Sequence, residues 1–241
     1  MKKLNSQIRL PLHELTEISI CLAIVGGFLD AYTYLFRGGV FANAQTGNLV
    51  LFGISLAQGN LLRAGYYLIP ICAFFTGIVF TELIKRRNSV ERFNNWQYIT
   101  LLLELVILLI IGLLPKQAPD AVVDISISFV CSLQVNSFRK VKGLPYASTM
   151  CTGNLRSAAE QLSRHLFDKQ AEGGKNCARY FLVIFAFCIG AAFGTFSTHL
   201  IGGKSVLLCC LLLLAPLCVM LRDRRQITAE REFRNYRENG S

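Results

Sequence analysis

The sequence predicts an all-α, polytopic membrane protein with about six transmembrane helices plus two re-entrant or broken helices, arranged as a two-fold, inverted internal repeat. Three observations carry this. Hydrophobic residues make up 53% of the 241-residue chain, mean hydropathy is +0.43, and only 17% of residues are charged. The charges are segregated, which leaves long apolar runs between them. Finally, the tripeptide Thr-Gly-Asn occurs twice, at Thr46-Gly47-Asn48 and Thr152-Gly153-Asn154, each time inside an apolar stretch and followed by Leu. Polar groups in lipid must find partners within the protein. A chain that accepts this cost once per half reads as duplicated, with its working site where the copies meet.

The elements follow in order. Strong apolar runs cover Ile18–Phe36, Ala64–Ile84, Trp96–Leu114, Ala121–Phe138, Tyr180–Leu200 and Ser205–Leu221. Each is near the ~20 residues that cross a bilayer as a helix. Two weaker segments, Val40–Ala57 and Leu144–Leu162, carry the Thr-Gly-Asn copies, and their polar content makes them doubtful spans. Lys2, Lys3 and Arg9 ahead of the first run, with Ala42-Asn43-Ala44 resembling a cleavage site, also fit a signal peptide. A span-length first run followed by further spans favours a retained helix instead.

Basic residues set the orientation. If all eight segments span, 15 Lys and Arg fall inside and 9 outside, with Arg156 unassigned. If each Thr-Gly-Asn segment enters and leaves on one side, the split becomes 20 inside and 4 outside, the latter being Arg37, Arg63, Lys116 and Lys204. The positive-inside rule favours the second arrangement, with both termini cytoplasmic. Each half then has three full spans, so the second half runs opposite to the first, and the two Thr-Gly-Asn segments dip in from opposite faces. The whole of 1–241 is one membrane domain, with a first repeat at 15–115, a second at 121–222, and a basic cytoplasmic tail at 223–241.

Further residues support duplication. Asp30 precedes Thr46 by 16 residues, and Asn136 precedes Thr152 by 16. The stretch Tyr67–Gly77 matches Tyr180–Gly190 with seven extra residues in the linker Ser163–Asn176. The boundary falls in the Pro-rich loop Pro115–Asp120.

The candidate site residues cluster around the repeated tripeptides. Arg37-Gly38-Gly39 and Gly143-Leu144-Pro145 break the chain before each copy. Asn43, Gln45, Thr46, Gly47 and Asn48 follow in the first half, and Ser148, Thr149, Thr152, Gly153, Asn154 and Arg156 in the second. Exposed helix ends and amides of this kind line solute paths near the midplane; small and amide residues also simply glue membrane helices together. Asp30 can bind a cation, carry a proton or cap a re-entrant helix, or it can pair with Arg37 at the interface. Its counterpart Asn136 cannot ionise. Glu104, in the middle of an apolar run, is either a coupling group or a fold clamp on Arg156 or Arg179. Glu82 beside Lys85 and Arg86 reads as an interfacial ion pair, and Gly190-x-x-x-Gly194 as a helix-packing face.

Several function classes lose support. No nucleotide-binding glycine loop, Gly-x-Ser-x-Gly or His-Glu-x-x-His is present, so no catalytic residues and no enzyme activity are expected. Nine cysteines without a Cys-x-x-Cys pair, and three scattered histidines, argue against a metal site, and no cofactor is expected. The net charge of +10 belongs to membrane flanks and tail rather than to nucleic-acid binding.

The stretch 27–35, Gly-Phe-Leu-Asp-Ala-Tyr-Thr-Tyr-Leu, followed by 38–48, Gly-Gly-Val-Phe-Ala-Asn-Ala-Gln-Thr-Gly-Asn, resembles the opening of the YoaK-like bacterial membrane proteins. The later stretch Gly143–Asn154, with Gly-Leu-Pro and Thr-Gly, resembles that family's second half. Gln45 stands where the family's first motif has Met; both side chains are long and flexible. The resemblance covers roughly residues 15–222. It implies a bacterial inner-membrane protein of about six spans, in a family catalogued as a domain of unknown function, and it implies no substrate.

The expectation from sequence is therefore a transporter or channel for an unidentified small polar or ionic solute. The path would be lined by the Thr-Gly-Asn segments, with Asp30, Asn136, Glu104 and Arg156 as coupling or selectivity groups. The alternative is a non-transporting membrane scaffold or regulator whose basic tail engages lipid or a partner. The expected partners are the lipid bilayer and the solute. Dimers are common among small transporters, so a homodimer is one option for assembly.

Overall fold

A computed structural model describes residues 14–90, 96–115 and 117–222. The tail 223–241 and the flanking cations Lys2, Lys3, Arg9, Arg92 and Lys116 lie outside the described residues. The elements in order are α1 (Thr16–Phe36), α2 (Gln45–Ala57), α3 (Leu61–Val90), α4 (Trp96–Leu113), α5 (Asp120–Ser137), a two-stranded antiparallel hairpin of β1 (Lys140–Val141) and β2 (Leu144–Pro145), α6 (Cys151–Leu166) and α7 (Ala171–Ile201). A 3₁₀ turn at Gly202–Val206 then leads into a last helix, α8, over 207–222.

Local chemistry explains the boundaries. α1 stops at Phe36, just before Gly38-Gly39, where Gly39 adopts φ +71°. The β1–β2 turn places Lys142 and Gly143 at φ 47° and 79°, the left-handed pair that a tight hairpin requires. Backbone groups then tie this hairpin to the start of α1. The Gly143 N–H donates to Glu14 Oε2 at 2.8 Å, and the Lys142 N–H to the Glu14 carbonyl at 2.9 Å.

Four stretches are long and apolar enough to cross a membrane: Thr16–Phe36, Leu61–Arg87, Trp96–Leu113 and the 52-residue Ala171–Arg222, which contains both α7 and α8. The sequence reading counts six spans. It treats α7 and α8 as two, and it includes α5. That helix is buried from Val130 to Ser137 and packs Ser132, Gln134 and Asn136 inward, so it is much less apolar than its neighbours. α3 and α7 also exceed their apolar runs. α3 continues through Lys85-Arg86-Arg87, and α7 starts nine residues before Tyr180, inside the polar linker. Helix propensity carries the chain on where hydropathy has already ended.

The two Thr-Gly-Asn segments differ from the spans. Residues 40–44 are not helical, and the helix begins at Gln45; residues 146–150 are likewise irregular, and the helix begins at Cys151. At 13 and 16 residues, α2 and α6 are about 20 and 24 Å long, against the ~30 Å of a hydrocarbon core.

The helices pair across the chain. α1 packs along α7, and α3 along α5; α2 lies on α3, and α6 on α7; α4 lies on α5. α8 returns to α1, where the Cys21 thiol donates to the Leu212 carbonyl at 3.1 Å. The α1–α7 crossing is close because it is built from glycine. A methyl at Gly27 would collide with the Phe187 carbonyl, and one at Gly190 with the Ile24 carbonyl. A Cβ at Gly194 would lie 2.8 Å from the Phe28 carbonyl oxygen. Gly77 does the same for α3 against α5, where a Cβ would lie 2.7 Å from the Phe129 carbonyl oxygen. Between helices in lipid the drive is packing rather than burial from water, so such close backbone approach is where attraction accumulates.

The main core joins α1, α4, α5 and α8 around Leu22, Phe28, Leu101, Ile127, Cys209 and Leu213. Outward faces of α3, α7 and α8 carry exposed Phe75, Phe185, Phe196 and Leu211, an apolar exterior suited to lipid.

Candidate solute cavity

Each Thr-Gly-Asn copy occupies the first turn of its helix. Gln45-Thr46-Gly47 and Cys151-Thr152-Gly153 are the first three helical residues, and the Asn comes fourth. That Asn folds back onto the irregular stretch before the helix. Asn48 Oδ1 accepts the Phe41 N–H at 2.9 Å, and its Nδ2 donates to the Phe41 carbonyl at 2.7 Å. Asn154 Oδ1 accepts the Ala147 N–H at 3.2 Å, and its Nδ2 donates to the Ala147 carbonyl at 2.6 Å. In both cases an amide satisfies both polar groups of the residue seven positions upstream, where no helix or sheet can do so. Gln45 adds a bond from Asn48 Nδ2 to its Oε1 at 2.8 Å, a contact that a Met at this position could not make.

The two lead-in stretches meet beside Gly26, the midpoint of α1. Asn43 Nδ2 donates to the Gly26 carbonyl at 3.2 Å, and a methyl on Gly26 would collide with Thr149. Beside this contact, a cavity of about 640 Å³ opens, lined by residues leading into and opening α2 and α6. Residues 41 and 43–46 form one wall and 149–153 the opposite wall. α1 contributes Asp30, Ala31, Tyr34 and Leu35, and Phe74, Phe187 and Ala191 close the sides. The volume suits a small molecule, and a mostly apolar lining with few polar groups is what such sites show.

Asp30 sits at the cavity wall, buried. Its Oδ1 accepts the Asn43 N–H at 2.6 Å, immediately before α2. Of the roles open to it in sequence, this geometry is that of a carboxylate at a helix start. The alternative open to it in sequence, an interfacial pair with Arg37, is not formed. Arg37 turns the other way, to Asp120 at 3.3 Å and to the Tyr32 hydroxyl at 2.8 Å. Burial works against the Arg37 charge, but the Tyr32 hydroxyl and the Asp120 carboxylate outweigh it, so the guanidinium is held above its ordinary range. A second, polar hollow of about 620 Å³ lies there, lined by Arg37, Arg63, Tyr66 and Asp120. Tyr34 borders both spaces and stacks on Phe41 with ring centroids 4.6 Å apart.

The family model described as "Protein of unknown function (DUF1275)" matches residues 18–220. The chain belongs to the DUF1275 family. It is also 26% identical over 175 residues to the UPF0700 transmembrane protein YoaK of Bacillus subtilis (strain 168), covering 70% of this chain and 78% of that protein. No solved structure matches. With a transmembrane relative and long apolar helices, this DUF1275 chain is a membrane protein.

The cavity sorts the residues singled out in sequence. Asn43, Gln45, Thr46, Thr149, Thr152 and Gly153 line it, as does Asp30. Gly47, Asn48 and Asn154 do not. Gly47 faces the Phe41 ring, and both Asn side chains are spent on the backbone. Ser148 is buried behind the wall, bonded to Gln134 Nε2 at 2.9 Å. Asn136 does not mirror Asp30. Its Nδ2 donates to Glu82 Oε1 at 3.0 Å, and Glu82 also pairs with Lys85 at 3.7 Å. Arg156 is exposed on α6 and pairs with Glu160 at 3.0 Å, one turn along, so it clamps no buried acid.

Glu104 is fully buried in the main core among Cys21, Cys131, Cys209 and Cys210, and neither carboxylate oxygen has a hydrogen-bond partner among the described residues. Neither Arg156 nor Arg179 reaches it; Arg179 bonds Asn176 at 2.6 Å. Among the described residues no group of three or more His, Cys, Asp or Glu could hold a metal ion, and all nine cysteines are free.

Sequence reasoning missed Tyr34, Phe41, Phe74, Met150, Cys151 and Phe187 as cavity walls. Phe41, Met150 and Cys151 were reachable, since each lies within five residues of a Thr-Gly-Asn copy. Phe74 and Phe187 sit at matching positions of the two aligned stretches, offset by 113 residues like Tyr67 and Tyr180, and that coincidence was the available signal.

Proposed function

We propose that this DUF1275 protein is a multi-pass protein of a bacterial inner membrane, with both termini cytoplasmic and two inverted halves, that moves a small polar or ionic solute. The observation that carries the reading is the cavity of about 640 Å³ whose facing walls are the residues leading into and opening α2 and α6. Two short helices whose first turns face one space resemble the arrangement by which transporters present helix ends to a solute. The equivalent Asn48 and Asn154 clamps, and helix contacts that come in matched pairs, support descent from one duplicated unit. The charge count of the loops supports the orientation. Catalysis, a cofactor and nucleic-acid binding form no part of this reading.

Thiol accessibility tests it. Cysteines introduced at Thr46 and Thr152, together with the native Cys151, should react with a membrane-impermeant thiol reagent in whole cells or inverted vesicles. Protection of all three from both sides would overturn the reading in favour of a scaffold. Reporter fusions at residues 60, 90 and 143 test the topology. An external signal at 60 with cytoplasmic signals at 90 and 143 is expected, and the opposite pattern rejects it.

A further inference from the structure

The two walls of the cavity carry different chemistry, although they occupy equivalent places. On the α2 side the buried side-chain groups turned to the cavity are acceptors. Asp30 brings a carboxylate. The Asn43 amide is oriented by its Nδ2 bond to Gly26, which leaves Oδ1 buried without a partner. The Gln45, Gly47 and Asn48 N–H groups there donate to nearby carbonyls, which leaves only the Thr46 N–H of that turn without an acceptor among the described residues, against two adjacent ones on the other wall.

On the α6 side the polar groups are donors. α6 begins at Cys151 with no side-chain cap on Met150. The Thr152 and Gly153 N–H groups have no acceptor among the described residues, and both residues line the cavity. Thr149 adds a hydroxyl that is buried, unpartnered and part of the same wall. No carboxylate stands before α6 as Asp30 does before α2: the residue at the matching spacing is Asn136, an amide, and it is turned away to Glu82. A 16-residue helix with an unoccupied first turn carries partial positive charge at that end, and it is here joined by an unsatisfied hydroxyl.

We propose that the cavity binds a small zwitterion of the amino-acid class. Its ammonium would lie on Asp30 and Asn43 Oδ1, its carboxylate on Thr149 Oγ1 and the Thr152 and Gly153 N–H groups, and its side chain among Tyr34, Phe74 and Phe187. This inference rests on the solute reading above and names the solute's chemistry. A bare anion would leave the Asp30 carboxylate facing like charge, and a bare cation would leave the α6 donors unanswered. A zwitterion answers both.

Cys151 lines the cavity and reports on its occupancy. The rate of Cys151 modification by a water-soluble thiol reagent would be followed by peptide mass mapping on the full-length protein in detergent. The probes are glycine, alanine, leucine and phenylalanine, each beside its deaminated carboxylate and its decarboxylated amine. At least one amino acid should slow the modification, with its two half-analogues about tenfold weaker, the size of one lost charge-assisted contact. Asp30→Asn should weaken the amino acid while sparing the carboxylate analogue, and Thr149→Val should do the reverse for the amine. If Cys151 reacts freely and none of the four amino acids slows it, or if a half-analogue matches its parent, the zwitterion inference is overturned and the solute reading stands. If Cys151 does not react at all, the open cavity itself is refuted.

Discussion

Asn48 holds Phe41 by both its N–H and its carbonyl, at 2.9 and 2.7 Å, and so fixes the irregular stretch that leads into α2. Replacing Asn48 by Ala removes both bonds and leaves a part-buried backbone pair without these partners. Side-chain hydrogen bonds inside membrane proteins average about 0.6 kcal/mol and reach about 1.7. A loss of about 1–2 kcal/mol is expected for Asn48→Ala and for Asn154→Ala alike. The clamps share no partner, so the double variant should be additive within about 0.5 kcal/mol. Thermal or denaturant unfolding in detergent measures this. A double variant no worse than either single one would show that the clamps act as one unit.

The glycines of the two tripeptides should respond differently. A Cβ at Gly47 would lie 2.8 Å from the Phe41 ring, whereas nothing stands within 4 Å of one at Gly153. Gly153→Ala should therefore be neutral or stabilising by up to about 1 kcal/mol, since it only raises helix propensity. Gly47→Ala should destabilise unless the ring moves. Gly190→Ala should be the worst of the three, because its methyl meets the Ile24 backbone, which has nowhere to go. Melting temperatures of the three variants rank them directly.

Tyr34 is the one side chain shared by the cavity and the polar hollow at Arg37, Arg63 and Tyr66, among the residues named for each. Its stacking on Phe41 makes the pair a barrier between the two spaces. Tyr34→Ala should open a direct connection and speed Cys151 modification from the side of Arg37, with Tyr34→Phe close to the parent. An unchanged rate in Tyr34→Ala would place the access route elsewhere.

Glu104 loses nothing by substitution, since its oxygens have no partner among the described residues. A buried polar group without a partner costs stability, so Glu104→Leu should raise the melting temperature, and Glu104→Gln should leave it near the parent. A sharp fall in Glu104→Gln stability would mean that the carboxylate is answered by a group beyond those described. Uptake by vesicles carrying Glu104→Gln would separately show whether this acid takes part in transport.

The places where sequence and structure agree share a physical cause. Hydropathy located α1 and α4 to within two residues at each end, because those helices are apolar along their length; it bounded α5 as closely, although that helix turns Ser132, Gln134 and Asn136 inward and is not among the stretches apolar enough to span. The Gly38-Gly39 and Gly143 breaks were readable because few other residues adopt φ near +70°. The fate of Asn48 and Asn154 was not readable. An amide in an apolar chain satisfies its needs equally well on a solute or on a backbone, and only the position of Phe41 and Ala147 decides. The pairing of α1 with α7 was hidden for a related reason. Gly190-x-x-x-Gly194 announces a close approach without naming the helix that approaches.

That pairing has a consequence for how the protein is made. Among the described helices α1 is the first to be synthesised, and it is the most enclosed of the span-length segments, at 67% buried against 33–44% for the others. Its principal neighbour α7 is nearly the last, and α3 waits in the same way for α5. The nascent chain must therefore hold a helix bearing Ser19, Asp30 and two glycines in the membrane while most of its final contacts do not yet exist. Neither half can complete its own packing. The two behave less like domains than like the two sides of a zip, and the chain is assembled only when the second side arrives.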